Sequence, residues 1–138
     1  MATKIAPASA ELKEFYSKRH GWRHKGEERM RFAKATKLAR VQPGAHVLDI
    51  GARDGGLRKF LPTDVRYQGM DIAQEFERPD VLIRDISEGI PFPDGTFDNV
   101  FTIEVLEHVP NPFGAIAEIH RVLKPGAVWV VSVPNPYH

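Results

Sequence analysis

The chain of 138 residues contains no cysteine. That absence excludes a disulfide scaffold, a thiolate zinc site, an iron–sulfur cluster and a cysteine nucleophile. Long apolar runs are missing too, so no transmembrane helix is expected. The first fifteen residues, MATKIAPASAELKEF, hold no 7–15-residue apolar stretch of the kind a secretory signal carries. A cytoplasmic protein without membrane attachment is the expectation. Net charge is nearly absent as well, at a formal +1. What is present is enough for one folded unit: 42% of residues are hydrophobic. A domain of about this size buries roughly 68–70% of the surface of its unfolded chain, so it folds without a staple.

The small net charge conceals an asymmetry. Residues 1–40 carry 11 Lys and Arg against 4 Asp and Glu, whereas residues 41–138 carry 8 against 14. A basic arm on an acidic body suits an acidic partner, a nucleic acid or a membrane surface. An acidic body repels a phosphate backbone, however, and a solvated helix folded back on the body explains the arm more simply. Nucleic acid is therefore not an expected partner.

Three regions follow from the patterning: a flexible tail at residues 1–10, a basic helical segment at 11–42 and an α/β domain at 43–138. Helices are expected at 11–19 and 27–40, with Gly21 and Gly26 breaking the segment between them and Met30, Ala33, Leu38 and Val41 of the second forming a loose apolar face. Beyond Pro43-Gly44, short apolar runs alternate with helical or loop segments. Strands are expected at 46–50, 65–71, 81–83, 97–103 and 127–133, with a short helix ending near Leu61-Pro62. A longer helix lies between the last two strands. Asn111 caps it, Pro112 occupies its first position and Pro125-Gly126 ends it. Strands apolar on both faces and joined by crossovers indicate a parallel sheet inside a Rossmann-like three-layer α/β sandwich.

The chemistry concentrates in VLDIGARDGG, residues 47–56, where a strand ends in an acid and turns through glycines. Gly51 and Gly55 allow a tight turn and a close approach of ligand to backbone. In an open α/β sheet the ligand crevice lies beyond the carboxyl ends of the strands. A nucleoside triphosphate requires a P-loop lysine, but Gly56 is followed by Leu57-Arg58. A dinucleotide wants G-x-G-x-x-G, yet Arg53 replaces the middle glycine, and Asp49 and Asp54 would oppose a pyrophosphate. A phosphate-free ligand bearing an ammonium and a sulfonium suits these carboxylates, and S-adenosylmethionine is such a ligand. Asp71 follows Asp49 by 22 positions, near the spacing of an acid that accepts from ribose hydroxyls. Asp85 stands at the end of the third expected strand, where a carboxylate suits an adenine amino group.

Several segments in order, VLDIGARDG, GMDI, RDISEGIPFPDGTFDNV, EVLEHVPNP and AIAEIHRVLKPGAVWVVSVPN, resemble the class I S-adenosylmethionine-dependent methyltransferases of the small bacterial type. The resemblance spans about residues 43–134. It implies a mainly parallel sheet of order 3-2-1-4-5. It also implies that Asp49 and Gly51 flank the methionine end, Asp71 and Ile72 meet the ribose, and Asp85 and Ile86 meet the adenine. Thr102 to Glu104 would line the methyl-transfer pocket. The short crossover at residues 73–79 is similar to that of methionine-biosynthesis protein W, a compact relative.

Two departures stand out. The family commonly reads Gly-Cys-Gly where this chain has Gly51-Ala52-Arg53; Arg53 would either clamp the methionine carboxylate or intrude on the pocket. The chain also stops at Tyr137-His138, without the family's sixth and seventh strands. That leaves residues 127–133 as an apolar edge, which a homodimer or another partner would cover.

For an acceptor that must lose a proton, His108 is the candidate base, with Glu107 and Glu104 nearby. Tyr16, Trp22 and Arg23 are candidates to close over the cofactor. Glu104-Val105-Leu106-Glu107-His108 also resembles the metal-binding segment of small-RNA 3′-terminal 2′-O-methyltransferases. If helical, its three polar side chains would share a face; the simpler reading is a structural turn without metal, and no metal site is assigned. His120 is expected at the edge of the core, and His20 and His24 flank Trp22 in a docking lid. The resulting expectation is a methyltransferase acting on oxygen or nitrogen of a small molecule or glycan precursor. Its alternatives are a degenerate binding module completed by a partner, and a metal-assisted RNA 2′-O-methyltransferase.

Overall fold

A computed structural model describes Ala10, Glu14 and residues 25–137. The expected tail and most of the 11–19 helix lie outside the described residues, as do Tyr16, His20, Trp22, Arg23 and His24. The sheet is wholly parallel, and its order is β3-β2-β1-β4-β5. Its strands are β1 (His46–Ile50), β2 (Arg66–Asp71), β3 (Val81–Ile83), β4 (Phe97–Ile103) and β5 (Leu123–Ser132). This is the expected Rossmann-like architecture, and it sets the carboxyl ends of all five strands on one edge.

Helix α1 (Lys25–Ala39) covers one face. It presents Ala35 and Ala39, with Phe32, to Val47, Leu57, Leu61 and Phe101. Met30 and Leu38, expected on the inward face, are instead 60% and 71% exposed. The small alanines at four-residue spacing let the helix axis approach the strands, while Met30 and Leu38 are turned outward. Gly26 lies within the first turn of α1 and does not interrupt it. The buried amide of Asn99 donates to the Ala39 carbonyl at 3.1 Å, tying the end of α1 to β4.

Helix α2 (Pro112–Val122) covers the other face with Ala115, Ile119 and Val122 packed on Leu48, Ile50, Met70, Phe97 and Val100. Asn111 accepts from the Gly114 N–H at 3.1 Å, and Pro112 occupies the first turn, as expected from the sequence. The helix ends earlier than expected. Leu123 is already extended and pairs with Phe97, with an irregularity between Phe97 and Asn99, so β5 includes Pro125-Gly126. Proline is tolerated there because β5 is the sheet edge. The expected short helix before Leu61 is a 3-10 turn, Gly56–Phe60. No described helix is long and apolar enough to cross a membrane.

Candidate functional site

The turn after β1 is tied to the end of β2: the N–H groups of Gly51 and Ala52 both donate to the Met70 carbonyl, at 2.8 and 3.1 Å. Gly51 has φ 75°, and a Cβ there would stand 2.5 Å from Val105 Cγ2. Packing against the segment after β4 thus requires glycine at this position in its own right. Gly55 likewise has φ 75°, directly above the Tyr67 hydroxyl, which would lie 3.7 Å from a Cβ added there.

Three carboxylates line the carboxyl edge, all buried: Asp49 in β1, Asp71 ending β2, and Asp85 two residues beyond β3. Asp71 organises the loop above it. Its Oδ2 accepts from the Arg53 N–H at 2.8 Å and its Oδ1 from the Ala73 N–H at 2.9 Å. Asp85 Oδ1 accepts from the Ser87 N–H at 2.9 Å and so caps the 3-10 turn Ile86–Glu88. Ile86 is buried in the core under α2, while Ile72 is half-buried beside Asp71.

Asp49 is in a different state. Burial pushes its carboxyl up to about 7, against the hydrogen bond from Tyr67 and with help from the nearby charges of Asp71 and Asp54. Its Oδ2 accepts from the Tyr67 hydroxyl at 2.6 Å. Tyr67 was absent from the sequence-based set, although the period of two along β2 puts Tyr67, Gly69 and Asp71 on one face. A phenol two steps from a glycine on the acid-bearing face is the signal that could have found it.

Arg53 also adopts a left-handed backbone, φ 51°, and its guanidinium carbon lies 5.6 Å from the centre of the Phe76 ring. Thr102 is fully buried, and its hydroxyl accepts from the Trp129 indole N–H at 2.9 Å. Glu104, at φ 55°, leaves β4 in a left-handed conformation; its N–H donates to the Ser132 carbonyl at 3.0 Å. Its carboxylate forms an ion pair with Arg31 of α1, a partner 73 residues away that the sequence did not single out.

The 3-10 turn Leu106–His108 follows, with His108 Nε2 3.5 Å from Glu107 Oε1. The helical premise for grouping Glu104, Glu107 and His108 fails here, because Glu104 sits outside that turn with a left-handed φ. No group of three His, Asp or Glu side chains among the described residues is placed to hold a metal ion. His120 is exposed on α2. Ahead of β4, Arg121 secures the loop that carries Phe92, donating to the Ile90 and Phe92 carbonyls and to Asp94 and Glu118.

The methyltransferase domain family matches residues 48–131 of the chain. Among curated proteins, the chain is 34% identical over 107 residues to the 2-methyl-6-phytyl-1,4-hydroquinone methyltransferase of Synechocystis, covering 69% of this chain and 34% of that one. It is 31% identical over 112 residues to a sterol 24-C-methyltransferase of Schizosaccharomyces pombe, covering 67% and 30%. The chain thus spans about a third of the length of these relatives.

Solved structures agree on the fold. A Haloferax volcanii complex of the Trm112 methyltransferase activator with a candidate methyltransferase aligns at TM-score 0.68 and 24% identity, covering 91% of this chain and 61% of that one. A SAM-dependent methyltransferase from Aquifex aeolicus aligns at TM-score 0.60 and 19% identity, covering 94% and 80%. With the β3-β2-β1-β4-β5 sheet and the matched segment taken together, the chain belongs to the class I S-adenosylmethionine-dependent methyltransferase domain family.

Proposed function

We propose that the carboxyl edge of the sheet binds S-adenosylmethionine and that the protein methylates oxygen or nitrogen of a small molecule or glycan precursor. The observation that carries this reading is the row of buried Asp49, Asp71 and Asp85 at the ends of three adjacent parallel strands. The donor set fits the group. Each oxygen of Asp71 accepts one backbone N–H, which leaves acceptor capacity for the paired hydroxyls of a ribose. Asp85 and Ile86 are assigned to the adenine, Ile72 to the ribose, and Asp49, Gly51, Arg53 and Gly55 to the methionine end. Thr102 and Glu104 are assigned to the methyl-transfer pocket. S-adenosylmethionine supplies an electrophilic methyl on a sulfonium when bound.

The chain's own contribution is alignment and exclusion of water, which in well-oriented systems is worth effective molarities of roughly 10⁵–10⁸ M. His108, held beside Glu107, is assigned as the base for an acceptor that must lose a proton. The curated relatives named above are a hydroquinone methyltransferase and a sterol 24-C-methyltransferase, which supports a small organic acceptor; the choice of oxygen or nitrogen rests on His108 as base, not on these relatives. A cytoplasmic location goes with this reading.

Isothermal calorimetry with S-adenosylmethionine and S-adenosylhomocysteine tests it. Binding to the folded chain is expected, and Asp71→Ala should weaken it at least about tenfold, the loss of roughly one charged hydrogen-bonded contact. No binding of either compound would overturn the reading.

A second reading concerns the sheet edge. Along β5 and just past it, Val128, Val131 and Val133 are 40%, 45% and 59% exposed, and no described strand pairs with the outer side of β5. A partner strand or a second copy of this chain would cover that edge. The Haloferax neighbour was solved in complex with an activator protein. Size-exclusion with light scattering should report a dimer, or a complex with a co-purifying protein. A clean monomer in which β5 amides exchange freely contradicts edge pairing.

A further inference from the structure

Asp49 and Tyr67 lie on one face of adjacent strands, where the register sets Val47 beside Tyr67 and Asp49 beside Gly69. A tyrosine facing Val47 is one step short of the carboxylate, within diagonal reach for a long side chain. Gly69, between Tyr67 and Asp71 on the same face, carries no side chain. A Cβ there would stand 2.8 Å from Val81 Cγ2 and 2.9 Å from Ala52 Cβ, so no larger residue fits at this position between β3 and the glycine turn. From above, Gly55 closes over the Tyr67 hydroxyl. Outside, the Arg58 guanidinium carbon sits 5.7 Å from the centre of the Tyr67 ring, and Arg58 is paired with Asp80.

Among the described residues the hydroxyl donates to Asp49 Oδ2 at 2.6 Å, a length typical of donation to a charged oxygen. The remaining groups that face Asp49 are acids, Asp71 from β2 and Asp54 from the glycine turn. Glu28 of α1 lies farther off, beside Gly56. Among the described residues Tyr67 is the one donor set against that negative surrounding.

We infer that Tyr67 is a positioning residue, whose hydroxyl favours the ionised form of the buried Asp49 carboxyl and aims it so that it can receive the ammonium of the cofactor's amino-acid end. The inference rests on the cofactor reading given above. It also explains why a carboxylate tolerates burial at the floor of the glycine turn. Burial and the Asp49 charge raise the phenol's pKa above its usual value, so the phenol remains a donor throughout the physiological range. The Asp49 carboxyl itself is pushed up to about 7, within reach of titration.

The test is the ¹³C carboxyl titration of Asp49 in the full chain, followed by cofactor affinity from pH 5.5 to 7.5, where the ligand's own amine stays mostly charged. Tyr67→Phe should move the Asp49 midpoint up by about one unit. Cofactor affinity should then fall about tenfold at pH 5.5 but only about threefold at pH 7.5, because the charged form is recovered as pH rises. A purely structural role predicts the same loss at every pH and no change in the Asp49 midpoint. Either result would overturn the inference. Incorporation of 3-fluorotyrosine, a stronger donor of nearly the same size, should move the midpoint down. That second measurement stands if Tyr67→Phe fails to fold, and an unmoved or raised midpoint contradicts the inference. Absence of cofactor binding to the wild-type chain at any pH, with the midpoint shifting as stated, would sink the cofactor reading while leaving the Tyr67–Asp49 coupling intact.

Discussion

A carboxyl group buried among other acids stores free energy against the fold, and Asp49 is that group here. Its folded pKa, about 7, lies above the ordinary aspartate value of 3.8. The apo protein is therefore most favoured, with respect to this residue, below pH 3.8. Stability is lost as pH rises through 7, because the unfolded chain releases the proton first. The difference corresponds to about 4 kcal/mol by linkage. Asp49→Asn keeps an acceptor for Tyr67 and removes the titration. In urea denaturation of the apo protein it should be stabilising above pH 7 by a few kcal/mol and near neutral below pH 4. Equal effects at both pH values would contradict a raised Asp49. The presence of the acid was legible in VLDIG; its protonation chemistry was not, because the donor comes from a neighbouring strand 18 residues later.

At the scale of elements, legibility depended on how local the determining contacts are. The α2 start was readable because Asn111 and Pro112 act on their own turn. Strands β1 and β4 were readable because both faces are buried and the sequence is apolar throughout. The β5 start was misplaced because Pro125-Gly126 reads as a stop, whereas pairing between Leu123 and Phe97 extends the backbone before it. The segment after β4 forms the structural turn that was the simpler expectation, and only the conditional helical grouping of Glu104, Glu107 and His108 is lost. Glu104 turns left-handed there while its carboxylate reaches Arg31 on α1, a contact no local pattern announces. Both partners are less than 35% exposed, so a coupling of about 1 kcal/mol is expected. A double-mutant cycle with Arg31→Ala and Glu104→Ala, read by chemical denaturation, should give that coupling. Additive single effects would show that the pair does not hold α1 to the site.

Across the whole molecule, a wholly parallel sheet gathers residues from positions 49 to 108 onto one edge, although they are scattered along the chain. The acids of β1, β2 and the segment after β3 were legible as a set because each falls at or near the carboxyl end of an expected strand. Asp49, Asp71 and Asp85 all prove buried on that edge, while the hydroxyl of Thr102 is engaged by Trp129. On the proposed reading such a rim would discriminate by charge, favouring a nucleoside carrying positive groups over one carrying phosphates. Parallel calorimetric titrations of the full chain with S-adenosylmethionine, S-adenosylhomocysteine, ATP and NAD measure that preference directly. Saturable binding of the first two and none of the phosphate-bearing pair is the predicted result; tight binding of ATP or NAD would contradict the account.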